Sequence, residues 1–186
     1  MIIILNGVPR SGKSSIAQAI IETFHGEWVN LGVDWMMREM TPEHYLPGIG
    51  LRPGGERPDL EPFVRQSYAY LHNTIAEQSR TGTNVVVDVG YHTWYAEPFD
   101  PYLDALEKLA GLPLLFVGVK CPIETIMERR QASTQGHYEV GTESIPIPDP
   151  VRRWQESVHA GRIYDLQVDT STKSADECAA IIQQAF

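Results

Sequence analysis

Short, continuous apolar runs alternate along this chain with longer stretches of helical spacing. Strands are predicted over 1–6, 27–31, 84–89, 112–120 and 163–169. Ile2-Ile3-Ile4-Leu5, Val85-Val86-Val87 and Leu114-Leu115-Phe116-Val117 are unbroken apolar runs, as expected of strands covered on both faces. Helices are predicted over 13–24, 35–40, 62–80, 101–109, 122–132, 150–160 and 174–186. Several of these open on Pro, which the first helical position tolerates, and Ser174 with Glu177 has the spacing of a capping box. Strands alternating with helices in this way predict a parallel α/β sheet with helices on both faces.

Two stretches interrupt the alternation. Residues 41–62 hold five Pro and four Gly, too many breakers for a regular element, yet Tyr45, Leu46, Ile49 and Leu51 are apolar enough to pack on something. Residues 133–149 are irregular too, with Arg129 and Arg130 before them and Arg152 and Arg153 after. Long irregular stretches inside a compact domain are usually lids or binding loops. The expectation is an acceptor-side loop at 41–62 and a lid over about 129–153.

Length and charge narrow the class. At 186 residues the chain fits one domain, 1–186. It contains no run of about 18 apolar residues and opens without a basic n-region, so neither a membrane span nor a secretory leader is expected. The formal net charge of −9 argues against gripping a nucleic-acid backbone. Cys121 and Cys178 form no metal or redox spacing and are expected to be reduced packing residues of a cytoplasmic protein.

Gly7-Val8-Pro9-Arg10-Ser11-Gly12-Lys13-Ser14 fits G-x-x-x-x-G-K-[ST], between the first strand and the first helix. Glycines there let the backbone wrap, so that successive N–H groups turn inward on a β-phosphate. Lys13 would reach the β- and γ-phosphates, the Ser14 hydroxyl would hold Mg²⁺, and the helix running on through Ser15 adds its positive end. The binding set is Gly7, Val8, Pro9, Arg10, Ser11, Gly12, Lys13, Ser14 and Ser15, with ATP and Mg²⁺ as cofactors. No N-K-x-D base-reading motif of a GTPase is present. A short chain with a basic, irregular lid fits a small-molecule kinase better than a motor, because the lid keeps water from the transferring group.

Such chemistry needs a carboxylate near the acceptor oxygen and cations on the phosphoryl group. Asp34 follows the second strand, at the carboxyl end of the sheet where ligands collect, and is the expected base or orienting group; capping the next helix would explain it structurally. Asp88 ends the apolar third strand, where it would hold Mg²⁺ or orient the acceptor unless it only caps or turns the chain, with Gly90, Tyr91, His92 and Trp94 as one pocket wall; a solvated loop position would explain His92 equally well. Arg129 and Arg130 stand at the lid entrance and would neutralise the transferring charge, unless they only face solvent beside Glu124 and Glu128. Arg10 would face phosphates or stack on the base, and Thr170, Ser171 and Thr172 follow the last strand near the adenine position. Tyr68, Tyr70 and Trp35 have core spacing, with a pocket over Asp34 as the alternative.

These residues, taken together, resemble the chloramphenicol phosphotransferase-like family of P-loop kinases. The resemblance rests on Ile3-Ile4-Leu5-Asn6-Gly7 leading into Gly12-Lys13-Ser14, on Gly32-Val33-Asp34, on Val117-Gly118-Val119-Lys120-Cys121, and on Tyr164-Asp165-Leu166-Gln167-Val168-Asp169-Thr170 with Glu177-Cys178-Ala179. It implies transfer of the ATP γ-phosphate to a primary hydroxyl, the 3-hydroxyl of chloramphenicol for the antibiotic kinase. The family's proposed base then falls on Asp34 and its lid arginines near Arg129 and Arg130. Three features depart from that enzyme: Val8-Pro9-Arg10 replaces small residues, Val89 replaces a second Asp after Asp88, and 45–62 is proline-rich. All three surround the acceptor, so they bear on the substrate rather than the reaction. The combined expectation is a three-layer P-loop kinase with a five-stranded parallel sheet in the order 2-3-1-4-5. A nucleoside or sugar acceptor, or a regulatory nucleotide-binding module without turnover, remains open beside it.

Overall fold

The unbroken apolar runs form the middle of a sheet. In the computed structural model, which describes residues 1–46, 48–54, 57–133 and 140–185, strands β1 (Ile2–Asn6), β2 (Trp28–Asn30), β3 (Asn84–Val89), β4 (Leu114–Lys120) and β5 (Leu166–Asp169) pair in the order β2-β3-β1-β4-β5. Every pairing is parallel, with Ile2 opposite Val85 on one side and Leu114 on the other. This is the order expected from the sequence.

Alternation along each strand divides the core in two. Ile2, Ile4, Val85, Val87 and Phe116 face a layer that includes α3 (Glu61–Arg80) and α4 (Pro101–Lys108). Ile3, Leu5, Val86, Val117 and Val119 face α1 (Lys13–Thr23) and α7 (Ala175–Gln183). A smaller cluster of Val8, Cys121, Ile126, Met127, Val151 and Val158 joins the first loop to α5 (Ile123–Gln131) and α6 (Asp149–Ser157). Both cysteines are buried and free.

Element ends differ from expectation for local reasons. β5 starts at Leu166 rather than 163, and just before it the Asp165 carboxylate accepts the Phe116 N–H at 2.8 Å in place of a backbone carbonyl. Helix α2 (Val33–Met40) starts two residues early, with Gly32 at its N-cap, so Asp34 sits in the first turn and caps nothing. The Ser174–Glu177 capping box forms with both of its bonds. Segment 41–62 contains two 3-10 turns, Glu43–Tyr45 and Pro58–Leu60, and buries Ile49 and Leu60 in the core. Residues 134–139, in the middle of the expected lid, lie outside the described residues, as do 47, 55, 56 and 186. Among the described residues no helix is long and apolar enough to cross a membrane.

Candidate functional site

The loop between β1 and α1 is held open by backbone torsion. Gly12 has φ +92° and Arg10 has φ +71°, the left-handed region that a side chain rarely occupies. Arg10 tolerates it because its guanidinium donates to the Arg129 carbonyl at 2.8 Å, while Arg129 donates back to the Arg10 carbonyl at 3.2 Å. A side chain at Gly7 would meet the Val119 carbonyl at 2.6 Å, so the loop can leave the sheet here only without one. Lys13 donates to the Val8 carbonyl at 2.9 Å across the loop. Burial drives its ammonium down to about 8, against the opposing pull of Asp88 and Asp34.

Alternation also decides where Asp88 points. Two residues after Val86, it faces the α1 side of the sheet, where its Oδ2 accepts the Ser14 hydroxyl at 2.7 Å. Gly32 makes room: a Cβ there would fall 1.8 Å from Asp88 Oδ1. Asp88 is 8% exposed, and its pairing with Ser14 brings one hydroxyl and one carboxylate together at the start of α1.

Two cavities meet at this point. The larger, about 450 Å³, is lined by Gly12, Ser15, Arg129, Thr170, Lys173 and Ser174 among others. The smaller, about 240 Å³, is lined by Asp34, Asp88, Gly90, Leu51, Tyr68 and Trp154 among others. Arg10, Lys13 and Ser14 line both. Asp34 is exposed and belongs only to the smaller cavity.

The remaining expected residues divide unevenly. Arg129 spans the floor of the larger cavity, donating to the Thr170 carbonyl at 2.6 Å and the Thr170 hydroxyl at 3.1 Å. Thr170 in turn donates to the Ser11 carbonyl at 2.7 Å, so the last strand, α5 and the loop are tied together. Arg130 is buried one residue further along α5. Ser171 and Thr172 turn back on Asp169. Of the wall expected after Asp88, only Gly90 lines the smaller cavity. Tyr91 is in the core with its hydroxyl on His72 at 2.8 Å, Trp94 lies under the Arg153 guanidinium, and His92 is fully buried rather than solvated. Tyr68 reaches the smaller cavity from α3, whereas Tyr70 is exposed.

Sequence reasoning missed Asn6, Leu51 and Trp154. Asn6, fully buried, accepts the Tyr91 N–H at 2.8 Å and donates to the Val158 carbonyl and the Tyr164 hydroxyl at 2.9 and 2.8 Å. A polar residue ending an apolar strand was its one signal. Trp154 packs over Gly90, where a Cβ would come within 2.7 Å of its ring. Nothing local in the sequence pairs Gly90 with a tryptophan 64 positions away.

The geometry is that of a phosphate-loop turn with a carboxylate-bearing cavity beside it. No curated protein matches the chain. Solved structures share its fold: a sugar kinase from Janibacter sp. HTCC2649 has a TM-score of 0.63 at 16% identity, covering 98% of this chain and 92% of its own. An APS kinase from Mycobacterium tuberculosis, in complex with AMPPNP and APS, has a TM-score of 0.59 at 16% identity, covering 99% and 95%. The shikimate kinase of Acinetobacter baumannii, in complex with shikimate, has a TM-score of 0.58 at 16% identity, covering 98% and 90%. The family described as chloramphenicol phosphotransferase-like protein matches residues 1–186, and the chain belongs to it.

Proposed function

We propose that the protein is an ATP-dependent kinase that phosphorylates a hydroxyl of a small molecule. The observation that carries this reading is the junction of the two cavities at Arg10, Lys13 and Ser14, with Asp34 in the smaller one alone. The larger cavity would take the nucleotide and the smaller the acceptor. The residues fit such a ligand: the Ser14 hydroxyl and the Asp88 carboxylate, paired at the start of α1, are oxygen donors suited to Mg²⁺. Bound ATP and Mg²⁺ would supply the phosphoryl group and neutralise part of its charge.

Each residue then has one task. Lys13 would exchange the Val8 carbonyl for phosphate oxygens, which restores the full charge of its ammonium. Ser14 and Asp88 would hold the metal. Asp34 would orient the acceptor hydroxyl and take its proton. In this reading Arg129 braces the loop, and Arg130 is the second lid cation. Leu51, Tyr68 and Trp154 give the acceptor cavity an apolar, aromatic lining that excludes water.

Family membership makes chloramphenicol the first acceptor to try, beside small alcohols, aminoglycosides and nucleosides. The test is Asp34→Asn. Acceptor-dependent ATP consumption is expected to fall by about 10²–10⁴-fold with nucleotide affinity retained. Loss of nucleotide binding together with turnover would make Asp34 structural. Tight ATP binding without turnover on any acceptor would favour the regulatory module.

A further inference from the structure

Two elements from distant parts of the chain, segment 41–62 and α6, line the smaller cavity, and one buried side chain touches both. His92, four residues past Asp88, does not line the cavity itself. Its Nδ1 accepts the Trp94 backbone N–H at 3.1 Å. In the neutral ring the proton is therefore on Nε2, which donates to the Leu51 carbonyl at 2.8 Å. Leu51 belongs to segment 41–62 and lines the cavity. The edge-to-face partner of the imidazole is Trp154 of α6, with centroids 5.1 Å apart at 90°, and Trp154 lines the same cavity from the lid side. Tyr95 stacks on the imidazole at 4.6 Å and fixes its plane.

We infer that His92 is a positioning residue that clamps the acceptor loop against the lid helix, and so sets the affinity for the acceptor. The inference rests on reading the smaller cavity as the acceptor site. Its physical basis is that, among the described residues, the backbone bonds within segment 41–62 lie in its two 3-10 turns, so a bond from a rigid strand end to the Leu51 carbonyl decides where the stretch between them lies. Burial keeps the ring neutral, assisted by Arg162 and opposed by the Leu51 carbonyl, Asp100 and Glu61. A second link runs beside the first. The Arg153 guanidinium of α6 packs against Gly54, where a Cβ would sit 2.2 Å from its Nη1, so lid and loop also meet directly.

The test compares His92→Gln with His92→Asn in the full chain. A Gln amide can carry its N–H to the Nε2 position, whereas the shorter Asn cannot. Backbone hydrogen exchange over 48–54 should rise at least about tenfold in His92→Asn and stay near wild type in His92→Gln, with ATP affinity the same in both. With an acceptor that turns over, the acceptor KM should rise about tenfold in His92→Asn, kcat should hold, and Gln should restore KM. Equal exchange over 48–54 in wild type and His92→Asn overturns the clamp whatever the substrate, and so does an unchanged KM. Loss of exchange protection across the whole chain in both variants would show a merely structural histidine and overturns it too. Wild-type protein that protects 48–54 through His92 but turns over no acceptor would leave the clamp standing and overturn the kinase reading.

Discussion

The two ends of the proposed site, the nucleotide cavity and the acceptor cavity, are built in different ways. At the nucleotide end, eight consecutive residues carry most of the geometry: Gly7 through Ser14 supply the torsions, the lysine and the hydroxyl, while Asp88, Arg129, Thr170, Lys173 and Ser174 arrive from elsewhere. At the acceptor end, Asp34, Leu51, Tyr68, Gly90 and Trp154 come from five separate segments, and side chains that touch no substrate hold them together. On the proposed reading, a loop of fixed backbone would bind what all such enzymes share, the triphosphate. A cavity assembled from loops can change its acceptor by changing one contact at a time. The difference teaches that damage to the first end should abolish every reaction, whereas damage to the second should discriminate between acceptors.

The largest effect expected at the nucleotide end is that of Lys13. Lys13→Ala should lower phosphoryl transfer by about 10²–10³-fold for any acceptor with the melting temperature nearly unchanged, since the side chain makes one bond, to the Val8 carbonyl. Steady-state rates with two unlike acceptors check this. A loss confined to one acceptor would break the division between the two ends.

Gly32→Ala probes the Ser14–Asp88 pair, beside the junction of the two cavities. The new Cβ would overlap Asp88 Oδ1 at 1.8 Å, with backbone nearby, so the carboxylate must leave Ser14. Overpacking of this kind costs about 1–3 kcal/mol. Apparent Mg²⁺ affinity in the presence of ATP should fall by about tenfold, read by titrating the metal against ATP consumption. A variant with normal metal dependence would remove Asp88 from the metal site.

These two expectations also measure how far the sequence could be read. The strands and the phosphate loop were legible because both are local: unbroken apolar runs mark buried strands, and the loop motif sits between a strand and a helix, while the sheet order came with the family resemblance. That Asp34 and Asp88 lie along one cavity was legible because strand ends are where parallel sheets bind ligands; the roles given to them are those proposed above. The brace made by Arg129 was not, since its bonds run to Thr170, 41 positions away, and a helix pattern gives no sign of them. His92 and Trp154 meet only because a strand end and a lid helix converge in space. A solvated reading of His92 was as consistent with its neighbours as the buried one that holds.

Arg129 sharpens the comparison from the lid side. As a brace it should act on affinity and stability, whereas a cation on the transferring group would act on kcat. Arg129→Lys keeps the charge but cannot serve Thr170 and the Arg10 carbonyl together. The expected result is a loss of about 1–3 kcal/mol in unfolding free energy and a matching weakening of ATP binding, with kcat at saturating ATP within about threefold of wild type. A large fall in kcat at unchanged stability would move Arg129 from the brace to the chemistry.

The smallest effect expected is on pH, and it tests the wall behind the phosphate loop. His159 Nδ1 lies 2.6 Å from the Tyr164 hydroxyl, which receives the Asn6 amide, and Asn6 precedes the phosphate loop. Burial lowers the His159 pKa to about 4, and the positive charges of Lys120 and Lys13 push the same way. Burial lowers the buried rings of His72 and His92 as well. A histidine whose folded pKa lies below its unfolded value of about 6.5 takes up its proton first in the unfolded chain. The stability it contributes is therefore present above pH 6.5 and is lost as the pH falls towards 4. Urea midpoints should drop from pH 6.5 downward, and His159→Asn should make that drop shallower. Bound nucleotide should shift the His159 titration upward, because phosphates beside Lys13 offset one of the two charges that oppose its protonation. If His159, followed by NMR, titrates at the same pH with and without ATP, then the phosphate loop and the wall behind it do not sense each other, and the two ends of the site are electrostatically independent.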